Sequence, residues 1–243
     1  WRYANSLAPA KRNAAFTLMY GMEPKEKECL LYLPMYSELE SLKIGIQPGS
    51  SIETIPNPFG QKVVFFGSSF TQGIGASRPG MSYPLQIERN TNLHVCNLGF
   101  SGNAKLQSYF AEVIAATEAD AFVFDVFSNP AAMQIKERLQ AFVDIIVAKH
   151  PKTPLIFVQT IQRGNEAFNT LIRARESDKL EIVETLMKEI IRKYPNIYLI
   201  GNPLPSPENR DTCTDGTHPS DLGYYFWAKN LEKKIIEILN KNK

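Results

Sequence analysis

Five short apolar runs recur along the chain from residue 62 onward, and glycine, proline or polar residues follow each of them. They cover residues 63–66, 93–98, 121–127, 155–159 and 197–200. Runs made almost entirely of apolar, β-branched and aromatic residues are typical of strands that are buried on both faces. The pattern therefore predicts five strands in a sheet that is covered on both sides.

Helical periodicity fills the segments between these strands. Apolar residues recur three or four positions apart over residues 106–117, 135–147, 180–194 and 231–239. Pro151 and Pro195 should end two of these helices, because a residue that precedes proline is pushed out of the α-helical region. Alternating strands and helices predict a parallel sheet with right-handed crossovers. We therefore expect residues 60–243 to form an α/β domain, a three-layer α/β/α sandwich of flavodoxin-like type with a five-stranded parallel sheet.

The first 55 residues lack helical periodicity. Stretches at residues 15–20, 29–35 and 41–46 resemble strands, and glycine and proline separate them. The Gly, Ser, Pro and Asn residues within positions 49–58 are typical of a linker. Residues 1–55 are therefore predicted to be a small β-rich segment. Because three strands alone are marginally stable, they either pack on the α/β domain or belong to a larger β-sandwich.

Charge and cysteine content argue against several classes of protein. The chain has 27 Lys plus Arg and 25 Asp plus Glu, a net charge of +2 that is too small to indicate nucleic acid or an anionic membrane as the main partner. No apolar run approaches the roughly 20 residues of a membrane-spanning helix. Cys29, Cys96 and Cys213 form no Cys-x-x-Cys pair, so neither a thiolate zinc site nor a disulfide framework is expected. The chain begins at Trp1 without a signal-peptide pattern, as expected of a processed or trimmed product.

Of the three histidines, His218 is the best candidate for a catalytic base. His94 lies inside a predicted strand and His150 at the end of a predicted helix, and both positions favour structural roles. His218 lies in an Asp-Gly-Thr-His-Pro sequence between the last predicted strand and the last helix. That loop belongs to the carboxyl edge of the sheet, where the active sites of such folds are found.

Asp215 and Ser69 are candidate partners of His218. Asp215 lies three residues before His218, so a turn can bring its carboxylate to one imidazole nitrogen; otherwise it only caps the turn. Ser69 follows the first strand within a Gly-Ser-Ser sequence. Serine becomes a good nucleophile only when a base takes its proton. Without that base the same sequence would be an ordinary Ser/Gly turn.

Two further residues follow the second and third strands. Gly102 allows a close backbone approach, so an amide there can donate to an oxyanion. Asn129 can donate from its side-chain NH₂, or it can cap the helix that follows. The four elements, after strands one, two, three and five, all fall on one edge of the predicted sheet.

This combination closely resembles the SGNH hydrolases, also called the GDSL esterase and lipase family, over about residues 60–240. The resemblance implies a nucleophile at Ser69, a triad completed by Asp215 and His218, and an oxyanion hole formed by Ser69, Gly102 and Asn129. Two departures from the family pattern leave these groups in place. A serine at position 68 replaces the usual aspartate, and Ser-Asn-Pro at residues 128–130 replaces Gly-x-Asn-Asp.

Residues 31–36, 40–45 and 215–223 resemble one subgroup in detail, in which a β-sandwich precedes the hydrolase domain. The subgroup is typically bacterial, often from carbohydrate-degrading bacteria, and the analogy implies a periplasmic or secreted protein. Its β-sandwich is normally longer than residues 1–55.

The resemblance implies a serine esterase that hydrolyses carboxylic esters through an acyl-enzyme, with no metal or organic cofactor. It favours removal of small acyl groups such as acetyl from carbohydrates, so the expected partner is a small-molecule or carbohydrate ester. A lipid or thioester acylhydrolase is the alternative among enzymes. A catalytically silent carbohydrate-binding protein is the alternative of another class, and the intact candidate triad argues against it.

Some residues near these motifs allow two interpretations. The aromatic residues either stack on a sugar or belong to the core; they are Phe70, Tyr83, Phe100 and Phe127. Residues 161–177, which carry several arginines and side-chain amides, either border the pocket or form a solvated loop and first helical turn.

Overall fold

A parallel sheet between two layers of helices forms the body of the protein in the computed structural model, which describes residues 15–204 and 210–242. The strands are β1 (Lys62–Gly67), β2 (His94–Gly99), β3 (Ala121–Asp125), β4 (Leu155–Val158) and β5 (Ile197–Ile200). The helices are α1 (Ser69–Gln72), α2 (Tyr83–Thr91), α3 (Ser108–Ala115), α4 (Ala132–Lys149), α5 (Thr170–Lys193) and α6 (Asp221–Lys241). Short 3₁₀ helices occupy Pro79–Met81, Gly164–Ala167 and Arg210–Thr212.

The sheet has the strand order β2-β1-β3-β4-β5 and every pairing is parallel. The predicted α/β/α fold with five parallel strands is therefore confirmed. Gly67 pairs with Gly99 of β2 and with Asp125 of β3, so the loops after the first three strands begin side by side. This register places three of the predicted motifs at one edge of the sheet.

Alternation along the strands builds a separate apolar core on each face. In β1, Val64 and Phe66 face the core beneath α3, α4 and α5, while Val63 and Phe65 face the core beneath α2 and α6. All four side chains are at most 1% exposed. Burial on both faces explains why the sequence of each strand reads as a continuous apolar run.

Proline residues and a side-chain cap mark the ends of the long helices α4 and α5. Helices α4 and α5 stop at Lys149 and Lys193, shortly before Pro151 and Pro195, as predicted. The Asn169 side chain caps α5 by accepting from two backbone N–H groups of its first turn, each at 3.0 Å. None of the helices within the described ranges is long and apolar enough to cross a membrane.

Some elements of the α/β domain differ from the sequence prediction. The predicted third and fourth strands end earlier, at Asp125 and Val158. Helix α2 was not predicted, because it is short and its buried positions include the polar Gln86 and Glu88, which interrupt an apolar stripe.

The predicted N-terminal strands are absent from the described part of that segment: residues 15–60 contain no strand. Most side chains there are exposed, and the segment meets the α/β body mainly near residues 32–36. A strand needs a hydrogen-bonded neighbour, and an apolar, β-branched sequence does not supply one by itself. The structure therefore shows no strand at 15–20, 29–35 or 41–46, and the β-rich character of residues 1–55 stays a prediction.

Candidate active site

Ser69, His218 and Asp215 form a continuous chain of hydrogen bonds. Ser69 begins α1 directly after β1, and its Oγ lies 3.0 Å from His218 Nε2. The other ring nitrogen, Nδ1, lies 2.7 Å from Asp215 Oδ2. A hydroxyl, an imidazole and a carboxylate in this order form the arrangement that activates a serine.

The turn at residues 213–219 sets the geometry of the imidazole. Cys213 and Pro219 form an antiparallel bridge that closes the turn. Inside it, Asp215 Oδ1 accepts the backbone N–H groups of Thr217 at 2.9 Å and His218 at 2.7 Å. Partial burial opposes ionisation of Asp215, but these N–H groups and the imidazole outweigh it and lower its pKa to about 2. Asp215 is therefore a carboxylate throughout the neutral and mildly acidic range.

An aromatic stack supports the imidazole from the core side. The Phe70 ring meets the His218 ring edge to face, with centroids 5.7 Å apart, and also contacts Trp227 of α6 at 5.6 Å. Trp227 stacks in turn on Tyr83 of α2, with centroids 4.7 Å apart and planes 7° apart. All three supporting rings are at most 1% exposed. Residues from α1, α2 and α6 thus hold the ring of His218 against Ser69.

A buried carboxylate binds Ser68, the residue before Ser69. Asp125, which is 2% exposed at the end of β3, accepts hydrogen bonds from the Ser68 hydroxyl (2.5 Å) and backbone N–H (3.2 Å). The hydroxyls of Thr71 (3.2 Å) and Ser128 (2.8 Å) also donate to it. Burial raises the pKa of Asp125, although the hydrogen bonds from Ser68 and Ser128 oppose the rise. Asp125 therefore joins the turn after β1 to the loop after β3.

Gly102 and Asn129 lie on neighbouring loops that a hydrogen bond connects. The Asn129 side-chain oxygen accepts the backbone N–H of Ala104 at 3.3 Å, which turns its NH₂ the other way. Among the described residues, none accepts a hydrogen bond from that NH₂. Gly102 has φ +72°, a conformation that favours glycine, and open space where a Cβ would lie. Neither the Gly102 N–H nor the Asn129 NH₂ thus has an acceptor among the described residues, so both can donate to a bound ligand.

The peptide before Asn129 is held by two cations. The carbonyl oxygen of Ser128 accepts from Arg163 at 2.9 Å and from Lys179 at 3.2 Å. Lys179 is paired with Glu176 at 2.5 Å, and both side chains are at most 3% exposed. Burial lowers the pKa of Lys179, and the pair with Glu176 opposes the change. Arg163 belongs to the segment 161–177, so this segment does border the site.

The other sequence candidates lie apart from the triad or in the core. His94 is half-buried in β2, and the buried His150 ring contacts the carbonyl oxygen of Ala115 at 3.1 Å while its residue caps α4. The aromatics divide: Phe70, Tyr83 and Phe127 are core residues, whereas Phe100 is 41% exposed.

Three contributors to the site had no role assigned from the sequence. Asp125 carries a usable signal, since it is the only charged residue in an otherwise apolar strand. Gln72, one turn after Ser69, and the Glu176–Lys179 pair carry no such signal. Their roles depend on which loops the fold brings to them.

The comparisons with known proteins address the same elements. Residues 60–236 match the GDSL-like lipase/acylhydrolase family. The chain belongs to this family. Residues 1–52 match a second family, GxDLY, described as the N-terminus of SGNH-hydrolase-type esterases. Among proteins of curated function, none matches the chain significantly. The division into a segment 1–55 and a domain 60–243 stays a prediction.

Solved structures of GDSL-like and related proteins resemble the chain. A protein described as a GDSL-like lipase from Bacteroides ovatus is 38% identical, with a TM-score of 0.82 over 86% of this chain and 62% of its own. The chain thus spans less than two thirds of that relative.

Two more distant structures share the fold. The salicylyl-acyltransferase SsfX3 of a tetracycline biosynthetic pathway is 21% identical, with a TM-score of 0.61 over 73% of this chain and 55% of its own. A family two carbohydrate esterase from Clostridium thermocellum, solved in complex with cellohexaose, is 14% identical, with a TM-score of 0.60 over 78% and 68%.

Proposed function

We propose that this GDSL-like protein hydrolyses carboxylic esters through an acyl-enzyme formed on Ser69. The observation that carries the proposal is the unbroken chain from Ser69 Oγ to His218 to Asp215, at 3.0 Å and 2.7 Å. A serine, a base in hydrogen-bond reach and a carboxylate that orients the base are the parts that nucleophilic ester hydrolysis needs. The same series of hydrogen bonds argues against a catalytically silent carbohydrate-binding protein.

In the first half of the reaction, Ser69 Oγ attacks the ester carbonyl carbon and its proton passes to His218 Nε2. The negative charge that develops on the carbonyl oxygen is stabilised by the N–H groups of Ser69 and Gly102 and by the Asn129 NH₂. The carbon–oxygen bond to the alcohol then breaks, and the alcohol leaves with the proton from His218. Asp215, with its low pKa, stays ionised and stabilises the imidazolium.

In the second half, water attacks the acyl carbon. His218 takes one proton from the water and returns it to Ser69 as the carboxylic acid leaves. Asp215 keeps Nδ1 protonated in the resting site, so Nε2 is the nitrogen that is free to accept in both halves.

We further propose that the ester is a small acyl group, such as acetyl, on a carbohydrate. The fold shared with carbohydrate esterases supports this class, whereas the family covers lipases and acylhydrolases and does not by itself favour it over lipid or thioester substrates. Fold similarity at this level of identity is an argument by analogy. The substrate therefore has to be tested directly.

The test is a panel of acetylated mono- and oligosaccharides beside p-nitrophenyl esters of increasing acyl length, with Ser69→Ala as the matched control. We expect acetyl esters to show a higher kcat/KM than octanoyl esters, and the variant to lose activity on every substrate. A higher kcat/KM on octanoyl esters would transfer the assignment to a lipid acylhydrolase. An active Ser69→Ala variant would disprove the nucleophile.

A further inference from the structure

Gln72 connects the N-terminal segment to the loop that carries Gly102. It ends α1, one turn after Ser69, and its side chain is half-buried. Its Oε1 accepts the backbone N–H of Ser101 at 3.0 Å, and its Nε2 donates to the carbonyl oxygen of Met35 at 2.8 Å. One partner is an obligate donor and the other an obligate acceptor, so only this orientation of the amide satisfies both.

The Ser101 contact matters because of its position in the chain. Ser101 immediately precedes Gly102, and Gly102 has open space beside it. The direction of the Gly102 N–H therefore depends on how its neighbours are held. On one side Gln72 holds the Ser101 N–H; on the other, Asn129 holds the Ala104 N–H. These two hydrogen bonds hold the backbone on either side of Gly102, the proposed oxyanion donor.

Helix α1, which carries Gln72, packs closely against β2. A Cβ at Gly99 would lie 2.1 Å from the Gln72 nitrogen, which means that β2 and α1 are in direct backbone contact. Asn97 of β2 also donates to the carbonyl oxygen of Thr71 at 2.9 Å. The Gln72 backbone is therefore packed directly against β2, and its side chain extends from that position to Ser101.

The N-terminal segment holds the other end of the same amide. Met35 accepts from Nε2, and the Tyr36 hydroxyl donates to the carbonyl oxygen of Gly73 at 3.1 Å. Met35 and Tyr36 thus form hydrogen bonds with Gln72, the last residue of α1, and with Gly73, which follows it. Without the Met35 carbonyl, the amide would be free to rotate away from Ser101.

We infer that Gln72 is a positioning residue for the oxyanion hole, and that the Met35 carbonyl keeps its amide in the productive orientation. The inference rests on the proposed function, because it needs Gly102 to act as an oxyanion donor. Gln72 acts through Ser101 and Gly102, so its loss should weaken transition-state stabilisation and leave ground-state binding of the ester nearly unchanged.

The experiment compares Gln72→Leu, Gln72→Glu and Tyr36→Phe in the full chain. Gln72→Leu removes both hydrogen bonds. Gln72→Glu keeps an oxygen acceptor for Ser101 and loses the donor to Met35. Tyr36→Phe is the matched control, because it removes a contact between the N-terminal segment and α1 that does not involve Gln72.

We expect Gln72→Leu to lower kcat by about tenfold, less than the roughly 10²–10³-fold cost of deleting an oxyanion donor outright, with KM within about twofold. Gln72→Glu should recover only part of this loss, because its carboxylate can accept from Ser101 but loses the hydrogen bond to Met35 and faces that carbonyl oxygen. Tyr36→Phe should stay within about twofold of wild type. Inactivation by a p-nitrophenyl phosphonate, whose phosphoryl oxygen uses the same hole, should slow in parallel with kcat. Titration with this reagent also gives the concentration of active sites, so partial unfolding is not mistaken for lost catalysis.

The inference is overturned if Gln72→Leu keeps its kcat or if its KM rises instead, and the role of the Met35 carbonyl is overturned if Gln72→Glu is as active as wild type. Ser69→Ala, measured in parallel, separates this result from the proposed function. An inactive Ser69→Ala beside a fully active Gln72→Leu rejects only the role of Gln72. An active Ser69→Ala rejects the site as a whole.

Discussion

Ser68 and Ser69 are neighbours with opposite partners. The Ser69 hydroxyl points to His218, whereas the Ser68 hydroxyl points inward to Asp125. In the family the residue at position 68 is usually an aspartate; here the carboxylate beside the nucleophile turn comes from the end of β3. The two serines should therefore respond differently to removal of their hydroxyls.

We expect Ser69→Ala to lower kcat by at least roughly 10³-fold while the fold remains intact, because the covalent path is lost. Ser68→Ala should instead lower the free energy of unfolding by about 1–3 kcal/mol, since the buried Asp125 loses a donor. Steady-state kinetics and urea denaturation of both variants check this. If Ser68→Ala abolished activity and Ser69→Ala did not, the assignment of the nucleophile would be wrong.

Asp215 orients the imidazole on which the proposed reaction depends. It lies 2.7 Å from Nδ1, which leaves Nε2 to take the serine proton. Asp215→Asn should therefore reduce kcat by at least about tenfold, because the negative charge and the control of the tautomer are both lost. His218→Ala should remove the acid limb of the kcat/KM profile altogether, because only a neutral base can take the serine proton. A wild-type pH profile in the His218 variant would place the base elsewhere.

The raised pKa of Asp125 predicts a pH effect on stability with the opposite sign to that of a carboxylate whose pKa is lowered by folding, such as Asp215. The folded state holds the Asp125 proton more tightly than the unfolded chain, whose aspartates titrate near about 3.9. As pH falls through the raised pKa towards that value, the folded state takes up the proton first and gains stability. Wild type should thus gain stability relative to Asp125→Asn on acidification, as urea unfolding between pH 4 and pH 7 would show. A difference that does not vary with pH would mean that burial leaves the proton affinity unchanged.

The triad could be predicted from the sequence because its members follow strand ends and their order along the chain is informative. Asp125 and Gln72 could not be assigned roles in the same way. A buried carboxylate acquires its function from the hydroxyls of two other loops, and a surface-like glutamine from the Met35 carbonyl and the Ser101 N–H. The hydrogen-bond partners of Asp125 and Gln72 cannot be predicted from the spacing of residues along the sequence.

At the scale of elements, α5 supports the loop after β3 through a buried ion pair. Lys179 and Glu176, both nearly inaccessible, lie three residues apart on α5, and Lys179 also donates to the Ser128 carbonyl. Removing one member of a buried pair leaves the other charge poorly compensated. This predicts a stability effect that depends on which charge is removed.

Lys179→Met should lower the free energy of unfolding by roughly 3 kcal/mol, because Glu176 loses its nearest partner. The double variant Lys179→Met with Glu176→Gln should recover part of the loss, since position 176 then carries no negative charge. Urea denaturation of both variants tests the pair. A double variant no more stable than the single one would show that packing, and not charge, holds this part of α5.

Strands and long helices were the elements that the sequence predicted best. A strand covered on both faces has to be apolar throughout, and a long helix on one face repeats its apolar stripe several times. Helix α2 has only nine residues and buries polar groups, so no stripe forms. Residues 15–60 contain strand-like sequence, but among the described residues this segment has no neighbouring strand to pair with.

At the scale of the whole molecule, the candidate site joins distant parts of the sequence. Ser69 comes from the first strand–helix turn of the α/β domain, Asn129 follows its central strand, and His218 precedes its last helix. The parallel sheet makes this possible, because strands that are far apart in sequence end at one edge. The pairing of Gly67 with Gly99 and with Asp125 shows this directly, because the last residues of β1, β2 and β3 lie side by side.

The hydrogen bond between Ser69 and His218 spans 149 positions of the chain, and this separation has a consequence in time. At about 5–20 residues per second, a ribosome makes the serine roughly 7–30 seconds before the histidine. During that interval the nucleophile has no base, so the growing polypeptide cannot consume esters or acylate itself. The proposed activity can therefore begin only after the residues around His218 have been synthesised and have folded against Ser69.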